Sequence, residues 1–264
     1  MKYFFNAWET VIRELSGKNI FLFLDYDGTL TPITQTPAKA VLPEGTRALL
    51  KKIASCRKCK IAVISGRALG DIKKVVRLKD LIYVGNHGLE IEGSVISFID
   101  QISSRTRAIM QRLNDDLTKE LLNIAGTFVE NKGATLSIHY RLAKNSNIFA
   151  IKNIVRKVIK PYFAKNKIKV RSGKKVIEIR PSVPWDKGRA VLWLLESERL
   201  MCRKTFVPVY VGDDSTDEDA FKELKNKGIT IFVGKPKRTA ASYYVKDTEE
   251  VALLLKKLLT LQSK

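Results

Sequence analysis

Short apolar runs without polar alternation recur along the chain, at Ile20–Leu24, Ile61–Ile64, Leu81–Val84, Val207–Val211 and Ile229–Val233. Runs of four or five residues rich in Val, Ile, Leu and Phe suit parallel strands buried on both faces. Between them the pattern predicts helices at Pro43–Ser55, Asp71–Val76, Asp186–Leu200 and Ser215–Lys227. Strand and helix in alternation imply an α/β fold with a doubly wound parallel-sheet (Rossmann-like) core. The opening residues, 1–15, alternate apolar and polar positions and read as an amphipathic helix.

The middle of the chain has a different rhythm. An amphipathic helix at Ile102–Leu122 precedes strand-like Thr127–Glu130 and Thr135–Tyr140. A helix at Asn147–Phe163 follows, then strand-like Ile168–Arg171 and Lys175–Ile179. Tight turns such as Arg171–Lys174 point to hairpins and an antiparallel sheet. The order predicts an inserted α+β cap domain at residues 99–182, within a core built from residues 1–98 and 183–264.

Composition narrows the class. The 264 residues are 45% hydrophobic and 28% charged, as in a soluble globular protein, and no run approaches the length of a membrane-spanning helix. The first residues lack the uninterrupted apolar stretch of a secretory signal, so the cytoplasm is the expected location. Three cysteines make no disulfide framework. Cys56 and Cys59 form a lone C-x-x-C, readable as a redox pair or half a zinc site, but no second pair completes a metal centre. The net charge of +21 is densest between Arg156 and Lys175, with nine basic residues and no acid. It attracts anions, yet no helix-turn-helix, zinc finger or RNP-type motif accompanies it. A solvated basic surface is the favoured reading, with nucleic acid and membrane not expected as partners.

The candidate chemistry lies where the strands end, the usual ligand side of an open parallel sheet. The first run leads directly into Asp25-Tyr26-Asp27-Gly28. Two aspartates two positions apart share one side of an extended strand, and such close like charges favour a cation between them. After Val207–Val211 come Asp213, Asp214, Asp217, Glu218 and Asp219, five acids within seven residues. Capping and the helix dipole account for some of them. The pair arriving at a strand end repeats the first cluster, and together the clusters make a hard-oxygen site suited to magnesium, Mg2+. Positive partners follow other runs: Ser65-Gly66-Arg67, and Lys187 after Trp185-Asp186. A lysine opening a helix opposes the helix dipole unless an anion sits nearby.

These segments, in this order, resemble the motifs of haloacid dehalogenase-like phosphatases: DYDGTL at 25–30, SGR at 65–67, Lys187, and GDDSTD at 212–217. DYDGTLTPI, GNHG at 85–88 and GDDSTDEDAF resemble the trehalose-6-phosphate phosphatase branch in particular, with Asn86 where that branch has Ser. The resemblance implies an aspartyl-phosphate enzyme. Asp25 would be the nucleophile and Asp27 the acid and base, with Ser65 and Lys187 holding the phosphoryl oxygens. It implies metal binding by Asp25, Asp27 through its main-chain carbonyl, and Asp213, supported by Asp214 and Asp217. It implies substrate binding by Arg67, Asn86, His87, Glu130, Lys132, His139, Arg141 and Glu178. Read alone, Glu130 and Lys132 suit a cross-strand ion pair, and His139 a structural histidine. The implied partner is a small sugar phosphate, taken up by a monomer. Sucrose phosphate or mannosyl-glycerate phosphate would serve the same core chemistry.

Overall fold

The computed structural model describes all residues except 37–38, 95, 100–103, 174 and 263–264. The expected helix start at Ile102 and Lys174 of the expected turn lie outside the described residues. The chain forms two compact units, Met1–Ile99 with Trp185–Lys264, and Asp100–Pro184.

In the first unit the order begins β1 (Lys2–Tyr3), α1 (Trp8–Leu15), β2 (Asn19–Asp25), α2 (Glu44–Ala54), β3 (Cys59–Ile64), α3 (Leu69–Val76), β4 (Ile82–Gly85), β5 (Glu90–Glu92) and β6 (Ser97–Ile99). The second unit contains α4 (Ser104–Leu121), β7 (Phe128–Asn131), β8 (Leu136–His139), α5 (Ile148–Phe163), β9 (Ile168–Gly173) and β10 (Val176–Pro181). The chain then returns to the first unit with α6 (Lys187–Cys202), β11 (Phe206–Gly212), α7 (Asp217–Glu223), β12 (Ile229–Val233), β13 (Tyr243–Val245) and α8 (Thr248–Gln262).

The first unit's sheet runs β1-β13-β12-β11-β2-β3-β4-β5-β6, parallel except at the β4–β5 and β5–β6 pairings. The uninterrupted apolar runs have a direct cause. Leu22 and Leu24 of β2 enter one buried cluster with α1, α2 and α8, while Phe21 and Phe23 enter another with α6 and α7. Both faces of the strand are core, so no position is left for a polar residue. The chain moves outward from β2 to β3 and β4, then returns to β11 on β2's other side. The switch point therefore lies between the carboxyl ends of β2 and β11, where the two acidic clusters sit.

Two expectations are corrected and two further features are added. Residues 1–15 are not one helix: Lys2–Tyr3 pairs with β13, a 3-10 turn follows at Phe5–Ala7, and only Trp8–Leu15 is α-helical. The helix expected to reach Lys227 ends at Glu223, because Asn226 takes a positive φ and Gly228 sits against Pro208. The sheet also gains an antiparallel edge in β5 and β6, whose alternating polar residues give no buried-strand signal. Finally, α8 caps one face through Val251, Leu254, Leu255 and Leu258, a helix the apolar-run pattern did not single out.

The second unit is an antiparallel sheet in the order β7-β8-β10-β9. Strand alternation divides it sharply. Ile138, Ile168, Ile177 and Ile179 pack with Leu113 and Leu117 of α4 and Ile151, Val155 and Ile159 of α5. On the opposite face Glu130, Ser137 and Glu178 stand side by side across three strands. The basic residues between Arg156 and Lys160 are exposed on α5's outer side, a solvated face. No helix among the described residues is long and apolar enough to cross a membrane.

Candidate active site

Asp25 is the last residue of β2, Asp213 follows the last residue of β11, and Lys187 opens α6 with Asp186 as its N-cap. The Lys187 ammonium donates to Asp25 Oδ1 and to Asp217 Oδ1, each at 2.7 Å, and all three side chains are almost cut off from water. Asp217 Oδ1 also accepts from the Tyr210 hydroxyl at 2.7 Å, and its Oδ2 from the Asp214 amide at 2.9 Å.

Burial would lower the Lys187 pKa, but Asp217 and Asp25 more than offset it and hold the ammonium charged. Burial pushes Asp25 well above the ordinary carboxylate range; Asp217 and Asp213 add to the rise and Lys187 opposes it. Burial, with Asp217 and Asp25 close by, likewise raises Tyr210, which keeps its hydroxyl a donor.

One oxygen from each of Asp25, Asp213 and Asp217 lies within 4.8 Å of the others. Ionised, these three carboxylates against one ammonium leave two negative charges in excess. An all-oxygen, dianionic cluster fits a hard divalent cation. Gly28 permits the arrangement. It adopts φ +96°, and a Cβ there would meet Asp213 Oδ2 at 2.4 Å, so only glycine lets this turn lie against the carboxylate.

Asp27 points elsewhere. Arg67 grips it in a two-pronged pair, Nε to Oδ2 at 2.8 Å and Nη2 to Oδ1 at 2.6 Å, and the guanidinium lies over the Tyr26 ring. Ser65, at the end of β3, is buried and accepts from the Arg67 amide at 3.1 Å. The Asn86 and His87 amides donate to the Arg67 and Ser65 carbonyls, pinning the Ser65–Arg67 loop. Asn86 is fully buried and its side-chain amide donates to Glu90, while the His87 ring packs against Gly66. Asp214 accepts from the Ser215 amide next to it.

In the second unit Glu130 lies 2.8 Å from His139, with Lys132 at 3.8 Å from Glu130 and 3.9 Å from Glu178. Glu178 also pairs with Arg180, and Phe128 stacks on His139. Arg141 lies beyond β8, in the turn that leaves the strand. The geometry thus gathers Asp25, Lys187, Asp213 and Asp217 in one cluster and pairs Arg67 with Asp27. Glu130, Lys132, His139 and Glu178 form a separate group.

Sequence reasoning missed Tyr210, Glu90 and Trp185, whose indole donates to the Gly88 carbonyl at 2.6 Å. A hydroxyl at the end of an apolar run was the available signal for Tyr210, since a buried phenol needs a partner. The C-x-x-C pair stands apart: Cys56 follows α2, Cys59 begins β3, and burial next to Cys56 pushes the Cys59 thiol up to about 12.

Residues 23–249 match the family model of trehalose-phosphatase. A trehalose 6-phosphate phosphatase of Zea mays is 38% identical over 267 residues, 95% of this chain and 73% of that protein. The structure of the C-terminal domain of a Candida albicans trehalose-6-phosphate phosphatase superposes with a TM-score of 0.82 at 26% identity, covering 95% of this chain and 94% of that one. A haloacid dehalogenase-like hydrolase from Bacteroides thetaiotaomicron shares the fold at a TM-score of 0.65 and 15% identity, over 91% of this chain and all of that one (100%).

Proposed function

This chain belongs to the trehalose-phosphatase family, and from that premise we propose that it hydrolyses trehalose 6-phosphate to trehalose and phosphate through an aspartyl-phosphate. The observation that carries the mechanism is the Lys187 ammonium held 2.7 Å from both Asp25 and Asp217 at the switch point of the sheet. A carboxylate beside a fixed positive charge supports assigning Asp25 as the nucleophile of a phosphoryl transfer.

In this reading an Asp25 oxygen attacks phosphorus, and the P–O bond to the sugar breaks as Asp27 gives its proton to the departing oxygen. Asp27 then takes a proton from water, whose oxygen attacks phosphorus and releases Asp25 and inorganic phosphate. Arg67 orients Asp27 and must yield one carboxylate oxygen for each proton transfer. Ser65 and Lys187 hold the phosphoryl oxygens. Asp25 and Asp213, with the Asp27 main-chain carbonyl, would hold magnesium, which neutralises charge on the transferring group. We assign Asp217, both of whose oxygens already accept hydrogen bonds, to anchoring Lys187. Asn86 and His87 support the Ser65–Arg67 loop through their main chain.

The first unit carries the phosphoryl chemistry. The polar face of the second, with Glu130, Lys132, His139 and Glu178 and with Arg141 nearby, reads sugar hydroxyls: carboxylates accept from them and cations donate. The setting is the cytoplasm. Phosphate release from a panel of sugar phosphates, with magnesium and with a chelator, tests the reading. Magnesium-dependent release is expected from trehalose 6-phosphate, well above that from glucose 6-phosphate or sucrose phosphate. Equal rates on trehalose 6-phosphate and glucose 6-phosphate would withdraw the substrate, and undiminished release in chelator would withdraw the metal.

A further inference from the structure

Tyr210 is a fully buried ionisable group to which the mechanism above gives no part. It sits within the apolar run of β11, two residues before the strand ends, opposite Phe23 of β2 in register. Its ring stacks against Phe23 at 6.5 Å and 19° and meets the Phe221 ring edge-on at 5.6 Å and 88°. Two aromatic neighbours on different elements leave the phenol one direction, and its hydroxyl donates to Asp217 Oδ1 at 2.7 Å.

That oxygen is the one that also receives the Lys187 ammonium. Asp217 is thus fixed by donors from three places: Tyr210 in β11, Lys187 at the head of α6, and the Asp214 amide before α7. Gly212 closes the fourth side, since a Cβ there would meet Asp217 Cγ at 2.3 Å. A carboxylate held this way cannot swing, and an ammonium bound to it cannot drift toward Asp25 alone. If the hydroxyl is removed, Oδ1 keeps only its contact with Lys187, and the carboxylate loses one of its three donors while Oδ2 stays on the Asp214 amide.

We propose that Tyr210 is a positioning residue for the phosphoryl-transfer site, fixing Asp217 so that Lys187 stands where the transferring phosphoryl oxygens need it. The inference rests on the assignment of Lys187 to those oxygens. It adds that the placement is set from within the sheet. Tyr210 touches no reacting atom and acts only through Asp217.

Tyr210→Phe deletes one oxygen and keeps the packed ring. The expected result is about a tenfold fall in kcat, about 1.4 kcal/mol of barrier, with KM within twofold and a melting temperature within a few degrees of wild type. Because the effect passes through Asp217, Tyr210→Phe should cost little further when added to Asp217→Asn, measured as residual release from a small aryl phosphate. An unchanged kcat, a loss matched by lost thermal stability, or full additivity with Asp217→Asn would each overturn the proposal. Lys187→Ala is the control on the underlying assignment. If that variant keeps full activity, the reading of Lys187 fails; if it is inactive while Tyr210→Phe is normal, only the positioning role fails.

Discussion

The cluster of Asp25, Asp217 and Lys187 is nearly sealed, with side-chain exposures of 7%, 0% and 2%. The group of Glu130, Lys132, His139 and Glu178 keeps 26%, 6%, 19% and 15%. The first is built from contacts of 2.7 Å, whereas the lysine of the second lies 3.8 and 3.9 Å from its two carboxylates, beyond direct hydrogen-bond reach. Burial makes each charge in the first cluster depend on its neighbours, since an unpaired ion there costs several kcal/mol (~3–5). Its geometry is therefore fixed in advance, as the proposed phosphoryl transfer would require. The second group is more exposed: Lys132 stands off its two carboxylates, while Glu130 holds His139 at 2.8 Å and Glu178 pairs with Arg180. The same residue types make a sealed cluster in one unit and a more exposed group in the other.

The largest test of that contrast is Asp25→Asn. Turnover on every substrate should fall by at least about a thousandfold, with the melting temperature within a few degrees of wild type. Appreciable turnover in that variant would mean the sealed cluster is structural. Next come Glu130→Ala and Glu178→Ala. Each should lower kcat/KM for trehalose 6-phosphate by roughly 10- to 100-fold, while hydrolysis of a small aryl phosphate changes by less than about threefold. Equal losses on both substrates would make the second group a scaffold and erase the distinction. The smallest effect concerns a region with neither role. With its thiol near 12, Cys59 holds roughly one thiolate in ten thousand at pH 8, so thiol reagents should label exposed Cys202 first and Cys59 last, speeding up only toward strongly alkaline pH. Rapid labelling of Cys59 at pH 8 would restore the redox reading of the C-x-x-C pair.

The parallel core was legible because burial on both faces leaves an unmistakable mark: Phe21, Leu22, Phe23 and Leu24 all face core. The acids were legible because carboxylates at the ends of such strands have little structural excuse. What escaped notice was set by distant partners. Lys2–Tyr3 is a strand only because Tyr243 and Tyr244 lie beside it, and Glu90–Glu92 only because β4 and β6 flank it. Tyr210 looked like one more core aromatic, and its neighbour across the active site is seven residues on, reached through a turn. The fork of Arg67 on Asp27 depends on an approach between residues forty apart that no local pattern encodes.

The chain leaves the first unit after β6 and re-enters it at Trp185, whose ring stacks on Phe98 of β6 at 4.8 Å. To the core, then, the whole second unit is a loop of about 85 residues with its two ends pinned side by side. Loop-closure entropy rises only with the logarithm of length, by roughly 0.6 kcal/mol for each doubling. Exchanging this insert for one half or twice as long would scarcely disturb the folding of the first unit. The second unit is thus replaceable as a cassette at a single aromatic seam, with Asp25 and Lys187 left untouched.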